Sequence, residues 1–147
     1  MKKILLTLCL LCFSSLSFAE GIVSKTSTHS VKDTIDKLET IVTAKGFAVV
    51  ARVNHAKAAE NVGQKLNPTE VLIFGNPKVG TALMQSNQAI GLDLPIKVIA
   101  WEDDKGVVTI AYNDPSWMVS RYDIDDRNEV VKKMTGALMK FTDAAAN

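Results

Sequence analysis

His55 and the run Phe74-Gly75-Asn76-Pro77-Lys78 are the residues of this chain best suited to chemistry. An imidazole exchanges a proton near neutral pH, so His55 is a candidate general base, hydrogen-bond donor or metal ligand. It stands in VNHAKAAENVG, directly after a strand-like segment. The competing role is structural, with the ring ordering a strand–helix corner. The second segment, LNPTEVLIFGNPKVGT, runs from an apolar strand through Gly75-Asn76-Pro77 into a helix start. Asn76 suits a helix cap, and Pro77 suits the first helical position, where no N–H is needed. The N–H groups of Lys78, Val79 and Gly80 are then expected to be open to an anion, with Lys78 and Thr81 adding polar contacts. Gly75 and Gly80 equally suit a tight turn and close helix–sheet packing.

Other chemistries lack a residue set. Gly75 and Gly80 have the separation of the two phosphate-loop glycines, but Thr81 stands where a lysine must follow Gly80. Lys78 lies inside the loop and is no replacement, so a nucleotide hydrolase is rejected. No Gly-x-Ser-x-Gly elbow is present. Glu102, Asp103 and Asp104 form a turn, and Asp123, Asp125 and Asp126 precede a helix. Neither cluster has the spaced oxygens of a calcium loop. A metal centre requires His55 with Glu70 or Glu102, and only if the fold makes them adjacent. His29 reads as an exposed turn residue. Trp101, Tyr112 and Trp117 suit core, surface or interface, and Trp101 is retained as a pocket-lining candidate. No cofactor is assigned.

The elements that must position these residues follow an N-terminal export signal. Lys2 and Lys3 precede an apolar run over residues 4–16, and Ser17-Phe18-Ala19 places small residues before a cut after Ala19. The run falls short of the ~17–25 residues of a spanning helix. The expected product is a periplasmic protein with no stable membrane insertion. Both cysteines, Cys9 and Cys12, leave with residues 1–19, so residues 20–147 must fold without disulfides or thiol chemistry. Losing Lys2 and Lys3 reduces 17 basic residues to 15, against 16 acidic. That balance, with no basic stretch, gives no support to a nucleic-acid partner.

Residues 20–147 read as one domain. Strands are expected at 21–27, 47–53, 70–74, 96–101 and 107–112. On the second, alternation places Phe47, Val49, Ala51 and Val53 on one face and Ala48, Val50 and Arg52 on the other. Ser30 caps a helix in which Val31, Ile35, Leu38 and Val42 recur at helical spacing, and Gly46 ends it. Asn54 caps a short helix to Val62. A helical turn is expected at 116–118. Asp125 or Asp126 caps a last helix with Val130, Val131, Met134, Ala137, Leu138 and Phe141 on one stripe, and residues 143–147 fray. This is an α+β layout, a two-layer sandwich with helices on one face of an antiparallel-rich mixed sheet. Apolar residues on the other face call for inserted helices or a second subunit, hence a homodimer.

The same segments resemble the family catalogued as domain of unknown function 302. The pieces are GFAVVARVNHAKAAENVG, LNPTEVLIFGNPKVGTALMQ, LDLPIKVIAWEDDKG and VVTIAYNDP, spanning about residues 22–138. The family pattern includes His55, Gly63, Phe74–Pro77, Thr81, Leu94-Pro95 and Trp101-Glu102. The resemblance implies a two-layer domain similar to the TATA-binding-protein-like fold, often as a homodimer, without implying DNA binding. It brings no settled activity.

Three functions follow. The first is a small-ligand-binding or accessory domain using His55, Phe74, Gly75, Asn76, Pro77, Lys78, Thr81 and Trp101. The second is a metal-assisted hydrolase using His55 with Glu70 or Glu102. The third is a purely structural or interaction dimer.

Overall fold

In the computed structural model, residues 21–147 are described. The expected signal, with Cys9 and Cys12, lies outside the described residues. Five strands form a single sheet: β1 (Ile22–Ser27), β2 (Ala48–Asn54), β3 (Thr69–Gly75), β4 (Ile96–Glu102) and β5 (Val108–Asn113). Their order is β1-β5-β4-β3-β2, with every neighbouring pair antiparallel. The helices are α1 (Val31–Ala44), α2 (His55–Asn61), α3 (Pro77–Ser86), α4 (Pro115–Ser120) and α5 (Asn128–Ala146), with a 3-10 turn at Gln88–Leu92. This is the expected two-layer α+β sandwich.

The helix α1 forms where its spacing requires. The Ser30 hydroxyl accepts from the Asp33 N–H at 3.1 Å, satisfying one of the orphan donors of the first turn. Val31, Ile35, Leu38 and Val42 are buried, which places the whole apolar stripe against the sheet. Gly46, at φ 76°, lets the chain leave the helix and re-enter the sheet at β2.

The alternation expected for β2 breaks in the middle. Val49 pairs with Phe74, but Ala51 pairs with Ile73, so Val50 is an extra residue in the ladder. Such a bulge switches which side chains face the core. Phe47 meets Phe74 and Phe141 edge-on within the helix layer. Ala51 and Val53 turn to the other face, opposite Ile73 and Val71. Arg52, paired with Leu72, turns toward α1.

Leu72, Phe74, Val98, Ala100 and Ile110 are buried beneath α1 and α5. Pairs such as Val53–Val71 and Ile99–Ala111 occupy the opposite face, over which no helix of the described residues lies.

The last helix departs from expectation at both ends. Neither Asp125 nor Asp126 caps it, since Arg127 holds that position without a side-chain capping bond. The Asp126 carboxylate instead accepts from Ser86 Oγ at 3.0 Å, tying the loop to the end of α3. Residues 143–146 continue α5 rather than fray. Ala145 and Ala146 are buried, and the Ala146 carbonyl accepts from the Thr28 N–H at 2.9 Å. The small alanine side chains let the helix end approach the β1–α1 turn closely.

Candidate functional site

The turn from β3 into α3 is built as its residues dictate, and that construction removes the expected anion site. The Asn76 side-chain oxygen accepts from the Lys78 N–H at 3.0 Å. The Asn76 carbonyl accepts from both Val79 and Gly80 N–H groups at 3.0 Å. Pro77 has no N–H to offer. The helix start is therefore satisfied internally, and its main-chain donors are not free for a ligand. Gly75 has a packing reason for its size. A Cβ there would stand 3.4 Å from Pro95 Cβ, so glycine lets the turn sit closely against the start of β4.

What the turn does form is one wall of a cavity of about 670 Å³. Phe74, Gly75, Asn76, Pro77, Lys78, Val79, Gly80 and Thr81 line it together with Met84, Leu94, Pro95 and Ile96. The α5 side is Val130, Lys133, Met134, Ala137, Leu138 and Phe141, and β2 contributes Ala48 and Val50. Phe74, Leu138 and Phe141 are buried, while Pro77, Lys78, Thr81 and Lys133 reach solvent. Among the described residues the lining contains no carboxylate, and its only charged side chains are Lys78 and Lys133. The volume falls in the range of ~300–1,000 Å³ common for small-molecule sites.

His55 is elsewhere. Asn54 pairs with Glu70 at one end of the β2–β3 ladder, and Ala48 pairs with Gly75 at the other. Five steps along β3 separate these ends, roughly 17 Å at the usual rise. His55 begins α2 and is exposed. The joint site expected of His55 and Phe74–Thr81 is therefore not formed within the chain. Trp101 also lies apart, paired with Thr69 and Thr109 and lining a shallow depression of about 190 Å³ with Ile22, Lys97 and Ile99 on the open face of the sheet.

Glu70 and Glu102 do share a second, polar hollow of about 680 Å³ beside Ser30, Asn54 and Lys57, and His55 does not line it. Glu70 is already engaged. Its carboxylate accepts from Arg52 Nη2 at 2.6 Å and from Asn54 Nδ2 at 2.8 Å. Arg52 also reaches Asp36 and Glu39 on α1. Burial opposes the Arg52 charge, but hydrogen bonds to Asp36 and Glu70 outweigh it and raise its pKa further above its ordinary value. The hydrogen bond from Lys32, then that from Arg52, holds the Asp36 carboxyl below the usual range. The arrangement fastens β2 and β3 to α1. Among the described residues, no group of three or more His, Cys, Asp or Glu side chains could hold a metal ion.

Sequence reasoning did not assign Lys133, Met84, Leu94 or the α5 wall to a site. One signal was available. The apolar stripe of α5 includes Val130 and Ala137, which remain partly exposed because they stand where the core gives way to the cavity. The Arg52–Glu70 network had no local signature, since its members lie 16 and 18 residues apart along the chain.

These features lie within a known family. The family model "Domain of unknown function DUF302" matches residues 23–141. Among curated proteins, "Fluoride-specific ion channel FluC 1" of Brucella suis biovar 1 (strain 1330) is 42% identical over 125 residues, covering 82% of this chain and 49% of that protein. "Fluoride-specific ion channel FluC 2" of Brucella melitensis biotype 1 is 42% identical over 125 residues, covering 82% of this chain and 46% of that protein. The chain spans about half the length of the curated relatives it matches. Among solved structures, an uncharacterized conserved DUF302 protein from Bacillus stearothermophilus is similar in fold, with a TM-score of 0.77 at 19% identity over 88% of this chain and 100% of that one. The family match runs from β1 into α5, taking in both the His55 corner and the Phe74–Thr81 wall, and the chain belongs to the family of domain of unknown function DUF302.

Proposed function

We propose that this chain is a small-ligand-binding or accessory domain of the cell envelope, with its ligand in the apolar cavity beside Phe74–Thr81 and with His55 outside the site. The observation that carries this is the cavity itself, about 670 Å³ lined largely by aliphatic and aromatic side chains. An apolar cleft of that size with few polar groups is the usual form of a small-molecule site. The export signal at residues 1–19 supports a periplasmic setting.

The accessory part of the reading draws on the curated relatives. They are named as fluoride channels, and this chain matches about half of each. No helix among the described residues is long and apolar enough to cross a membrane. We therefore take the matched part as a module that accompanies a channel in those proteins rather than as its pore. The cavity's apolar walls do not suit a small hydrated anion such as fluoride.

The test is uptake of Nile red, a neutral apolar dye, followed by its blue-shifted emission. The wild-type protein is expected to bind it, and Ala137→Phe, which adds a ring inside the cavity, is expected to lose it. Circular dichroism checks that the variant remains folded. A wild-type protein that takes up no dye, or a folded Ala137→Phe variant that binds as well as wild type, overturns the proposal.

A second reading rests on the other face of the sheet. Val53, Val71, Ile73, Ile99 and Trp101 are only half-buried there, with no helix of the described residues above them. We take a second copy of the chain as the cover, which makes the domain a homodimer.

A further inference from the structure

We infer that the cavity takes an amphipathic monoanion, a single apolar chain ending in a carboxylate that faces Lys78 and Lys133. This rests on the cavity being a ligand site and names the class of ligand.

The charge pattern carries the inference. Among the described residues, two cations and no carboxylate line the cavity. Both lysines are exposed, so their ammonium groups reach the solvent edge. Among the described residues neither side chain has a hydrogen-bond or salt-bridge partner, so both ammonium groups are available to a ligand at the cavity edge. The positive end of α3 adds to the same field. Its N–H groups are consumed by Asn76, so the lysine side chains, not the main chain, must meet a head group. The Thr81 hydroxyl is a further donor on the same wall.

The interior specifies the remainder. Phe74, Leu138 and Phe141 form its buried surface, and Met84 and Met134 flank it. Methionine side chains adapt to an uneven or flexible chain. A cationic ligand meets no counter-charge here, and a neutral one leaves both lysines unused. A polar ligand such as a sugar or nucleotide finds too few hydrogen-bond partners along these walls.

The experiment displaces Nile red with dodecanoate, methyl dodecanoate and dodecyltrimethylammonium, each below its micellar concentration. Dodecanoate is expected to bind tightest, by about three- to tenfold over the ester, as solvent-exposed ion pairs allow. Added salt is expected to narrow that gap. In the Lys78→Met/Lys133→Met variant the acid is expected to fall to the level of the ester, with the affinity for the ester retained. The Lys133→Glu variant is expected to move the preference toward dodecyltrimethylammonium. Equal binding of acid and ester by the wild type, or an acid preference that survives the double variant, overturns the anion assignment and leaves the cavity reading in place. Dye uptake with displacement by none of the three compounds also overturns the assignment. Failure to take up the dye overturns both. Co-sedimentation with phosphatidylglycerol vesicles, without displacement by the monomeric acid, overturns it in favour of a membrane head group.

Discussion

Gly75 and His55 stand at opposite ends of the β2–β3 ladder, Gly75 paired with Ala48 and His55 following the Asn54–Glu70 pair. The two segments with the strongest chemical character therefore act independently within a chain. Sites more than ~7–10 Å apart with no shared partner show additive effects. His55→Ala is expected to leave Nile red affinity unchanged within about twofold. Dye titration of His55→Ala, Ala137→Phe and the double variant checks this. A large loss in His55→Ala alone would join the two regions functionally.

Arg52 and Glu70 form the most buried ion pair among the described residues, with side-chain exposures of 27% and 9%. Removing the cation leaves the Glu70 carboxylate in a poorly solvated place with only Asn54 to serve it. Breaking fully buried pairs costs ~3–5 kcal/mol. Water reaches Arg52, so Arg52→Met is expected to destabilise by about 2–3 kcal/mol. Arg52→Met combined with Glu70→Leu is expected to recover most of that loss, because no charge is then stranded. Urea unfolding of the two variants measures both steps.

Asp36 gives the same network a pH dependence. Hydrogen bonds from Lys32 and then Arg52 lower its pKa in the folded protein below the ordinary carboxylate value. The unfolded chain thus binds the proton more readily than the folded one. The stabilisation is present in full above the unfolded value and is lost as pH falls through the lower folded value. Asp36 is 40% exposed, which limits the contribution to about 0.2–1 kcal/mol. Asp36→Asn is expected to be less stable than wild type near neutral pH, and the gap is expected to close once the pH falls below the ordinary carboxylate range. Denaturant midpoints at the two pH values decide it, and a gap independent of pH would remove Asp36 from the acid response.

The sequence made the layers legible wherever a single element carries its own signal. Ser30 with Val31, Ile35, Leu38 and Val42 specifies α1, its cap and its buried face without reference to anything distant. Asn76 and Pro77 likewise predict the start of α3. The relation between elements was less accessible. The bulge at Val50 reverses the faces of β2, and no local pattern separates it from regular alternation. That one extra residue carries Arg52 into the helix layer and turns Val53 away from it. The free N–H groups expected after Pro77 also failed for a physical reason. Asn76 supplies two acceptors, its side chain and its carbonyl, and satisfies the turn by itself. The cavity was hidden because its walls come from β2, β3, α3, the start of β4 and α5. Such a surface exists only once the chain is folded.

The open face of the sheet gives the last prediction. Ile99 on β4 pairs with Val71 on β3 and Ala111 on β5, so it lies among apolar neighbours from both adjacent strands. Exposed patches of this kind commonly mark protein interfaces. A stable interface typically buries ~1,200–2,000 Å² in total, and the face of a five-stranded sheet is of a suitable size for it. The wild-type domain is expected to sediment as a dimer. Ile99→Asp places a carboxylate where no helix-layer contact is disturbed, and it is expected to sediment as a monomer with unchanged helix content. Sedimentation velocity over a range of concentrations measures the equilibrium. A wild-type monomer would leave the face to another partner, and a dimeric Ile99→Asp variant would move the interface elsewhere. Because the cavity opens beside α3 and α5 rather than on this face, the monomeric variant is also expected to retain Nile red binding.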